Sequence, residues 1–430
     1  MKDFFELKKH GTTVKREFVG GLTTFLTMAY IVFVNPDILS QTGMDKGALI
    51  TATCLAAAIG TLIVALWVNA PMAMAPGMGL NAFFTYSLVL PHENVTWQMA
   101  LGVVFISGVF FFLLTISKIR QKIIDAIPVS LRLAVGAGIG LFITFIGMKN
   151  MGLIVAHPAT LVTLGKFTPP VILGLVGLII ILMLEVNKVR GSLLIGIVAT
   201  YVLGLMFGEI SLTGSLLSMP PSLAPIAFQL DIIGALQLSF VGAIFSFMFV
   251  DLFDSVGTIV ACSYQADLVN EDGSIAKIDK MLEADATATL AGALLGTSTT
   301  TTYVESASGI ADGARTGLSS LFIAMFFLGS LFFAPFIGSV PSFATAPALI
   351  VVGAFMFRLV KEIDIANFEV AVPAFLTIIM MPATYSISNG ISIGFLAHII
   401  MAIAGGKIRT INPILWIVGG LSLLNLFFGA

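Results

Sequence analysis

The stretch PMAMAPGMGLNAFF, residues 71–84, lies inside a long apolar tract, yet Pro71, Pro76, Gly77 and Gly79 are poor company for a continuous helix. Its first half reads as extended chain and its second half as helix. A second stretch, TSTTTTYVESASGIADG (residues 297–313), opens with a polar β-branched run, turns helical around Glu305 and meets Gly309 and Gly313. It is barely apolar enough to enter a membrane alone. Extended backbone leaves N–H and C=O groups unpaired, and the bilayer tolerates that only where protein, a cavity or a ligand receives them. The fold turns on whether these two segments are loops or interrupted spans.

Their surroundings favour interrupted spans. Of 430 residues 58% are hydrophobic and 10% charged, and mean hydropathy is +1.05, outside the range of soluble globular domains. The apolar runs are continuous rather than alternating, and many approach the ~20 residues a helix needs to cross hydrocarbon. An all-α polytopic membrane protein follows. Breaks at Gly, Pro and charge clusters predict spans near 18–39, 48–68, 72–90, 97–117, 129–148, 170–187 and 191–208 in the first half. The stretch 209–236 holds Glu209, Asp231, several Pro and Ser and no Lys or Arg, which makes it a linker. Spans near 237–262, 281–297, 299–314, 316–334, 346–360, 368–387 and 389–404 follow, with a further apolar stretch at 412–428. That last stretch is one more than a symmetric count, so it lies in the interface or two neighbours form a broken, short pair.

All 21 Lys and Arg except Lys46, Lys149 and Lys166 fall on one side of this arrangement, with the N-terminus, which places the N-terminus in the cytoplasm. The apolar run from Phe18 to Leu39 is too long for a signal-peptide core and is read as the first span. Seven crossings per half start the second half from the opposite side, giving an inverted repeat of residues 1–208 and 237–430 about an extracytoplasmic linker. The two interrupted segments are then third in each half, the corresponding positions that point to a transporter's midplane site.

Acidic residues in spans are functional candidates, since one costs roughly 2.5–3.5 kcal/mol at a helix centre. In FVDLFDSVGT (residues 249–258), Asp251 and Asp254 are three apart and project from nearly the same helix face. Two close carboxylates resist being ionised together, which suits a proton carrier. Glu305 is the other strong candidate. Glu283 and Asp285, close to the polar loop 263–280, read more simply as headgroup-level residues. Asn81 sits where extended chain becomes helix, and its amide can both donate and accept. Thr23, Thr24, Thr27 and Tyr30 could line a site, although Thr often bonds its own helix backbone. Phe83, Phe84 and Tyr303 are candidates to flank a flat ligand, with simple packing as the more common role of such side chains. Cys54 and Cys262 read as buried thiols, and His10, His92, His157 and His398 have no metal spacing, so no metal or cofactor is implied. A net charge of −2 without a basic stripe excludes nucleic acid as an evident partner.

GGLTTFLTMAYIVFVNP in the first span, APGMGLNAFF in the third, FVDLFDSVGT in the eighth and TTTTYVESASGIADGARTGL in the tenth resemble the adenine/guanine/hypoxanthine permeases, the AzgA-like branch of the nucleobase:cation symporter-2 superfamily. The resemblance runs essentially the whole length. It implies fourteen spans as a seven-plus-seven inverted repeat with a core domain (about 18–117 and 237–334) and a gate domain (about 129–208 and 340–430). It further implies a purine base held between the third, eighth and tenth spans and entering with protons across the cytoplasmic membrane. By motif, Gly79 and Asn81 match the third-span element, Asp251 and Asp254 the eighth-span acidic pair and Glu305 the tenth-span glutamate, with Thr27 and Tyr30 as weaker correspondences. Glu305, Asp254 and Asp251 are the proton-coupling candidates, and the chain could pair as a homodimer. Two other classes compete: an anion carrier of the same architecture, disfavoured by several acids in the site, and a cation channel, disfavoured by two dissimilar broken spans. An enzyme lacks a nucleophile–base or metal constellation.

Overall fold

The structure, a computed structural model, describes residues 4–117, 119–211, 215–269 and 275–428; Lys2 and Lys118 of the basic set lie outside them. The first span is α1 (Val14–Met28) and, after a two-residue break, α2 (Ile31–Leu39). Helix α3 (Lys46–Ile63) ends in a π-helical turn, Val64–Val68. Then come β1 (Met74–Pro76), α4 (Met78–Ala82) with a π-helical turn Phe83–Val89, α5 (Trp97–Ile116), α6 (Ile119–Ala126) and α7 (Val129–Met151). A hairpin of β2 (Ile154–His157) and β3 (Leu161–Leu164) precedes α8 (Pro169–Val186) and α9 (Ser192–Met206). The second half holds α10 (Ile232–Ala235), α11 (Val241–Gln265), α12 (Ile278–Leu295), β4 (Thr300–Thr302) and α13 (Ser306–Ala311). It closes with α14 (Gly317–Ser330), α15 (Ala334–Ser339), α16 (Ser342–Phe357), α17 (Phe368–Thr384), α18 (Ile387–Ala404) and α19 (Pro413–Phe428).

Among the described residues nine helical stretches are long and apolar enough to cross a membrane, and Met78–Val89, Ser192–Met206, Phe368–Thr384 and Pro413–Phe427 are shorter apolar helices. The chain is a mostly helical, multi-pass membrane protein. Side chains such as Ile172, Ile179, Met183 and Val186 on α8 are exposed, as a lipid-facing surface requires. The amphipathic α6 and the β2–β3 hairpin were not anticipated, because each is too short to register in hydropathy.

The two segments with helix-breaking sequence are the strands. β1 and β4 pair antiparallel, with Met74 opposite Thr302, Ala75 opposite Thr301 and Pro76 opposite Thr300. Tyr303 N donates to Ala73 O and Gly77 N to Thr299 O, both at 2.9 Å, which extends the pairing beyond the strands. Each strand therefore receives the other's backbone groups where hydrocarbon could not. Gly296, left-handed at φ 90, ends α12 and turns the chain straight toward β4.

The helices pack as two groups. In the first, α3 lies against α14 and α12, α12 against α5, α1 against α14 and α13, and α11 against α5. In the second, α7 lies along α16 and α17, α16 against α8 and α9, and α8–α9 and α17–α18 form adjacent pairs. The extra segment, α19, joins α18 and also touches α11, where Gly242 leaves room for Asn425. The linker packs over one end of the bundle: Thr51 Oγ1 donates to Pro221 O, Phe228 N to Leu294 O and Asp231 N to Gln98 O. At the opposite end Asn69 joins Phe5 to Gly317, and Lys277 reaches Val68 O.

Glu17 ties that end together. It is fully buried in α1, and its carboxylate accepts the backbone N–H of Arg315 (2.9 Å), Thr316 (3.3 Å) and Ser319 (3.2 Å) at the start of α14. These are the amides that a helix start leaves unpaired. Glu17→Ala takes away the side-chain acceptor of the Arg315 and Thr316 amides, while Ser319 N keeps Thr316 O at 3.3 Å; one unsatisfied buried group costs about 1–3 kcal/mol. The expected result is a melting point in detergent lower by several degrees with the span arrangement unchanged; an unaltered melting point removes Glu17 from this role.

Candidate functional site

Glu305 is the residue just before α13, and α1 ends opposite it. Tyr30, in the break between α1 and α2, donates its hydroxyl to Glu305 Oε1 at 2.6 Å. One turn along α13, Ser308 Oγ lies 2.9 Å from Thr27 Oγ1 and donates to Glu305 O at 2.6 Å. Thr27 also bonds its own helix at Thr23 O and Thr24 O, as Thr in helices tends to do. The approach is close because both helices carry glycine there: a Cβ on Gly309 would sit 2.2 Å from Gly20 O and from Thr24 Oγ1.

Asp254 lies midway along α11 and is exposed, although the turns on either side of it carry buried residues. Asp285, Glu305, Tyr30 and Tyr303 are ionisable groups near it. The exposed space beside Asp254, near Glu305, is the candidate crevice. Asp251, expected on the same face, turns away. It is 1% exposed, and its Oδ2 accepts from Thr289 Oγ1 of α12 at 3.1 Å while Oδ1 has no partner. Three residues along a helix differ by about 60° in direction, enough to send one carboxylate to the crevice and the other into the α11–α12 packing.

Asp285, read from the sequence as a peripheral residue, is fully buried against β4 and α11: Oδ1 accepts Thr302 N (2.8 Å) and Thr302 Oγ1 (2.9 Å), and Oδ2 accepts Ser255 Oγ (2.5 Å). With Thr289 Oγ1 donating to Thr300 O at 3.0 Å, α12 satisfies the outer edge of β4. Thr61 of α3 does the same for β1, accepting from Met74 N at 3.0 Å and donating to Met74 O at 3.1 Å. The outer edges of this two-stranded sheet are thus closed by side chains, and the sheet holds Glu305 at a set height. The four-residue spacing of Asp285 and Thr289, one helix face, was the overlooked signal.

The third-span candidates lie deeper. Asn81 is fully buried, its Oδ1 accepting from Ser298 Oγ and its Nδ2 without a partner. Gly79 meets the second helix group: a Cβ there would lie 2.6 Å from Ile139 Cγ2 of α7. Phe83 and Phe84, suggested as flanks for a flat ligand, are instead buried, and the Phe83 ring lies 4.6 Å from that of Phe247 on α11. Phe83 packs the third span against α11. Tyr303 borders the crevice less than expected, since it is 6% exposed and its hydroxyl donates to Pro76 O at 2.5 Å. The arrangement thus brings together Glu305, Thr27, Ser308 and Asp254, with the buried Tyr30 holding Glu305 from behind. Asp251, Asp285, Asn81 and the two phenylalanines stand behind it. Among the described residues no group of three or more His, Cys, Asp and Glu could hold a metal ion.

Comparison with known proteins agrees with this architecture. The transmembrane domain of a cyanobacterium bicarbonate transporter, BicA, superposes with a TM-score of 0.61 over 91% of this chain and 96% of that one at 16% identity, a likeness of fold alone. The guanine/hypoxanthine permease PbuG of Bacillus subtilis is 46% identical over 430 residues, covering 97% of each chain. The adenine permease AdeP of Escherichia coli is 42% identical over 425 residues, covering 99% of this chain and 95% of its own. The profile of the Permease family matches residues 15–393. The chain therefore belongs to the Permease family, a family of membrane transporters rather than enzymes, and groups there with the adenine and guanine/hypoxanthine permeases.

Proposed function

We propose that the chain takes up purine nucleobases across the cytoplasmic membrane by proton symport, with alternating access of a crevice between a core and a gate domain. The observation that supports this reading is that Glu305, held by Tyr30, lies near the exposed Asp254. A neutral heterocycle with several N–H groups can donate to Glu305, while apolar packing alone would select poorly among bases. Thr289 supports proton loading. Its hydroxyl has one proton for two acceptors, Asp251 Oδ2 and Thr300 O. A proton on Asp251 lets that acid donate to Thr289 and frees the hydroxyl for Thr300. Asp254, open to the crevice, is the point of proton entry, and Asp251 is the acid behind it whose network is one proton short.

The fourteen-span inverted repeat is supported by mirrored packing. α3 meets α14 and β1 as α12 meets α5 and β4, and α7 meets α17 as α16 meets α8. On this reading residues 1–208 and 237–430 are the two repeats, 209–236 is the extracytoplasmic linker, and α19 stands outside the symmetry. The core then takes about 18–117 and 237–334, the gate about 129–208 and 340–430. The N-terminus is cytoplasmic, at the end where Asn69, Lys277 and Glu17 gather.

The fold likeness to a bicarbonate transporter favours an anion carrier as the second reading. Two acids at the crevice weigh against it, because they repel an anion. Uptake of labelled hypoxanthine, challenged by unlabelled adenine, guanine, hypoxanthine and bicarbonate, separates the two. Competition by purines and collapse of accumulation with a protonophore are expected. Competition by bicarbonate alone overturns the purine reading, and indifference to the protonophore overturns the proton coupling.

A further inference from the structure

The two helix groups meet along a seam. At the end covered by the linker, hydroxyls, amides and one cation–π contact bridge it: Ser342 and Thr345 of α16 donate to Asp37 at 3.0 and 2.9 Å, Asn150 of α7 donates to Tyr86 Oη at 3.0 Å, Ser87 Oγ donates to Tyr385 O at 3.0 Å, and Lys149 of α7 lies 5.6 Å from the centre of the Tyr86 ring. At the basic end two arginines of the second group reach across. Arg132 of α7 lies 5.6 Å from the centre of the Phe253 ring, beside Asp254. Arg190, in the α8–α9 turn, pairs with Asp312.

The second contact lies on the segments that carry the site. Asp312 directly follows α13, and Glu305 directly precedes it, so one six-residue helix joins the two acids. That helix is about 9 Å long and moves as a unit. Asp312 also accepts from Thr23 Oγ1 of α1 at 2.6 Å, one turn before Thr27. The same α8–α9 turn rests on α1, since a Cβ on Gly191 would lie 3.1 Å from Leu26 O. The turn therefore touches both segments that hold Glu305, one turn from Tyr30 and Ser308. Arg190 is 59% exposed while Asp312 is 8% exposed, so water screens the pair from one side only. Such a pair orients a contact and still opens readily.

We propose that Arg190 and Asp312 form a latch that closes the crevice at the basic end, and that α13 ties its release to occupation of Glu305. This rests on the alternating-access reading above. A base that draws on Glu305 displaces α13, and Asp312 at its far end shifts against an arginine fixed to the other helix group. Release then lets the second group swing away while the linker end stays bridged.

The test is the alkylation rate of Val304→Cys by a membrane-impermeant maleimide in inside-out vesicles. Val304 is 57% exposed next to Glu305, and the native Cys54 and Cys262 are buried and free, so the parent protein sets the background. With no purine present, Arg190→Ala and Asp312→Asn each raise the rate about tenfold, and the exchanged pair Arg190→Asp with Asp312→Arg returns it toward the parent. An unchanged rate in both single variants overturns the latch. So does an equal rise at Ser40→Cys, labelled from the linker side, because that indicates general loosening. Hypoxanthine, added to the otherwise unaltered Val304→Cys protein, raises the rate if occupation of Glu305 releases the latch. A variant effect without any hypoxanthine effect, in a protein whose hypoxanthine uptake other purines compete with, overturns the coupling through α13; failure of that competition sinks the purine reading instead.

Discussion

Glu305→Gln is expected to lower hypoxanthine or guanine uptake at limiting substrate by roughly tenfold to a hundredfold. Glu305 Oε1 is engaged by Tyr30, and on the proposed reading the other carboxylate oxygen is the acceptor for the base. A glutamine keeps the size but offers one acceptor and an NH₂ group. If its oxygen stays with Tyr30, its NH₂ confronts the N–H of the base; if it flips, the Tyr30 hydroxyl loses its acceptor. Either way a buried donor is mispaired at about 1–3 kcal/mol, and each 1.4 kcal/mol is a factor of ten. Initial rates of labelled uptake, with surface abundance checked on the same cells, give the answer. Wild-type rates in the glutamine variant would remove Glu305 from the binding role, whatever becomes of the latch.

Asp254→Asn should separate transport from its energy source. A proton moving down a membrane potential of about 100 mV supplies about 2.3 kcal/mol, which sustains roughly fiftyfold accumulation of a neutral base at 1.4 kcal/mol per tenfold. Asparagine retains a polar group in the crevice but takes up no proton. The expected variant still exchanges labelled for unlabelled purine down a gradient, yet accumulates none and no longer responds to external pH. Accumulation that survives in Asp254→Asn, and still collapses with a protonophore, places the coupling proton elsewhere. Asp251 is then the candidate to examine, because its network behind β4 lacks one proton.

The membrane class and the two interrupted segments were legible in the chain itself. Long apolar runs, and Pro, Gly and β-branched Thr at two places within them, force extended backbone whatever surrounds it. The acids proposed for the site were also visible as costly residues in spans. Their relative placement was not. Asp251 and Asp254 share a face by spacing alone, but the 60° between them counts only once α12 is known to pack on one side and the crevice to open on the other. Asp285 looked peripheral because hydropathy measures distance along the chain from a polar loop, whereas burial depends on β4 returning against α12.

Phe83 illustrates the same limit from the apolar side, since an aromatic ring in a span suits a ligand or a neighbour equally well until Phe247 is seen to face it. The order of residues alone determined that this chain crosses the membrane many times, that it breaks twice, and that acids stand near the breaks. Those properties follow from local free energies, which a residue carries wherever it goes. Only the tertiary structure decided which acid of the pair is exposed and which is buried, what completes the strands' outer edges, and where the two helix groups touch at Arg190 and Asp312, 122 residues apart. Contacts between distant segments depend on how helices pack, and packing is a property of the whole bundle rather than of any stretch within it.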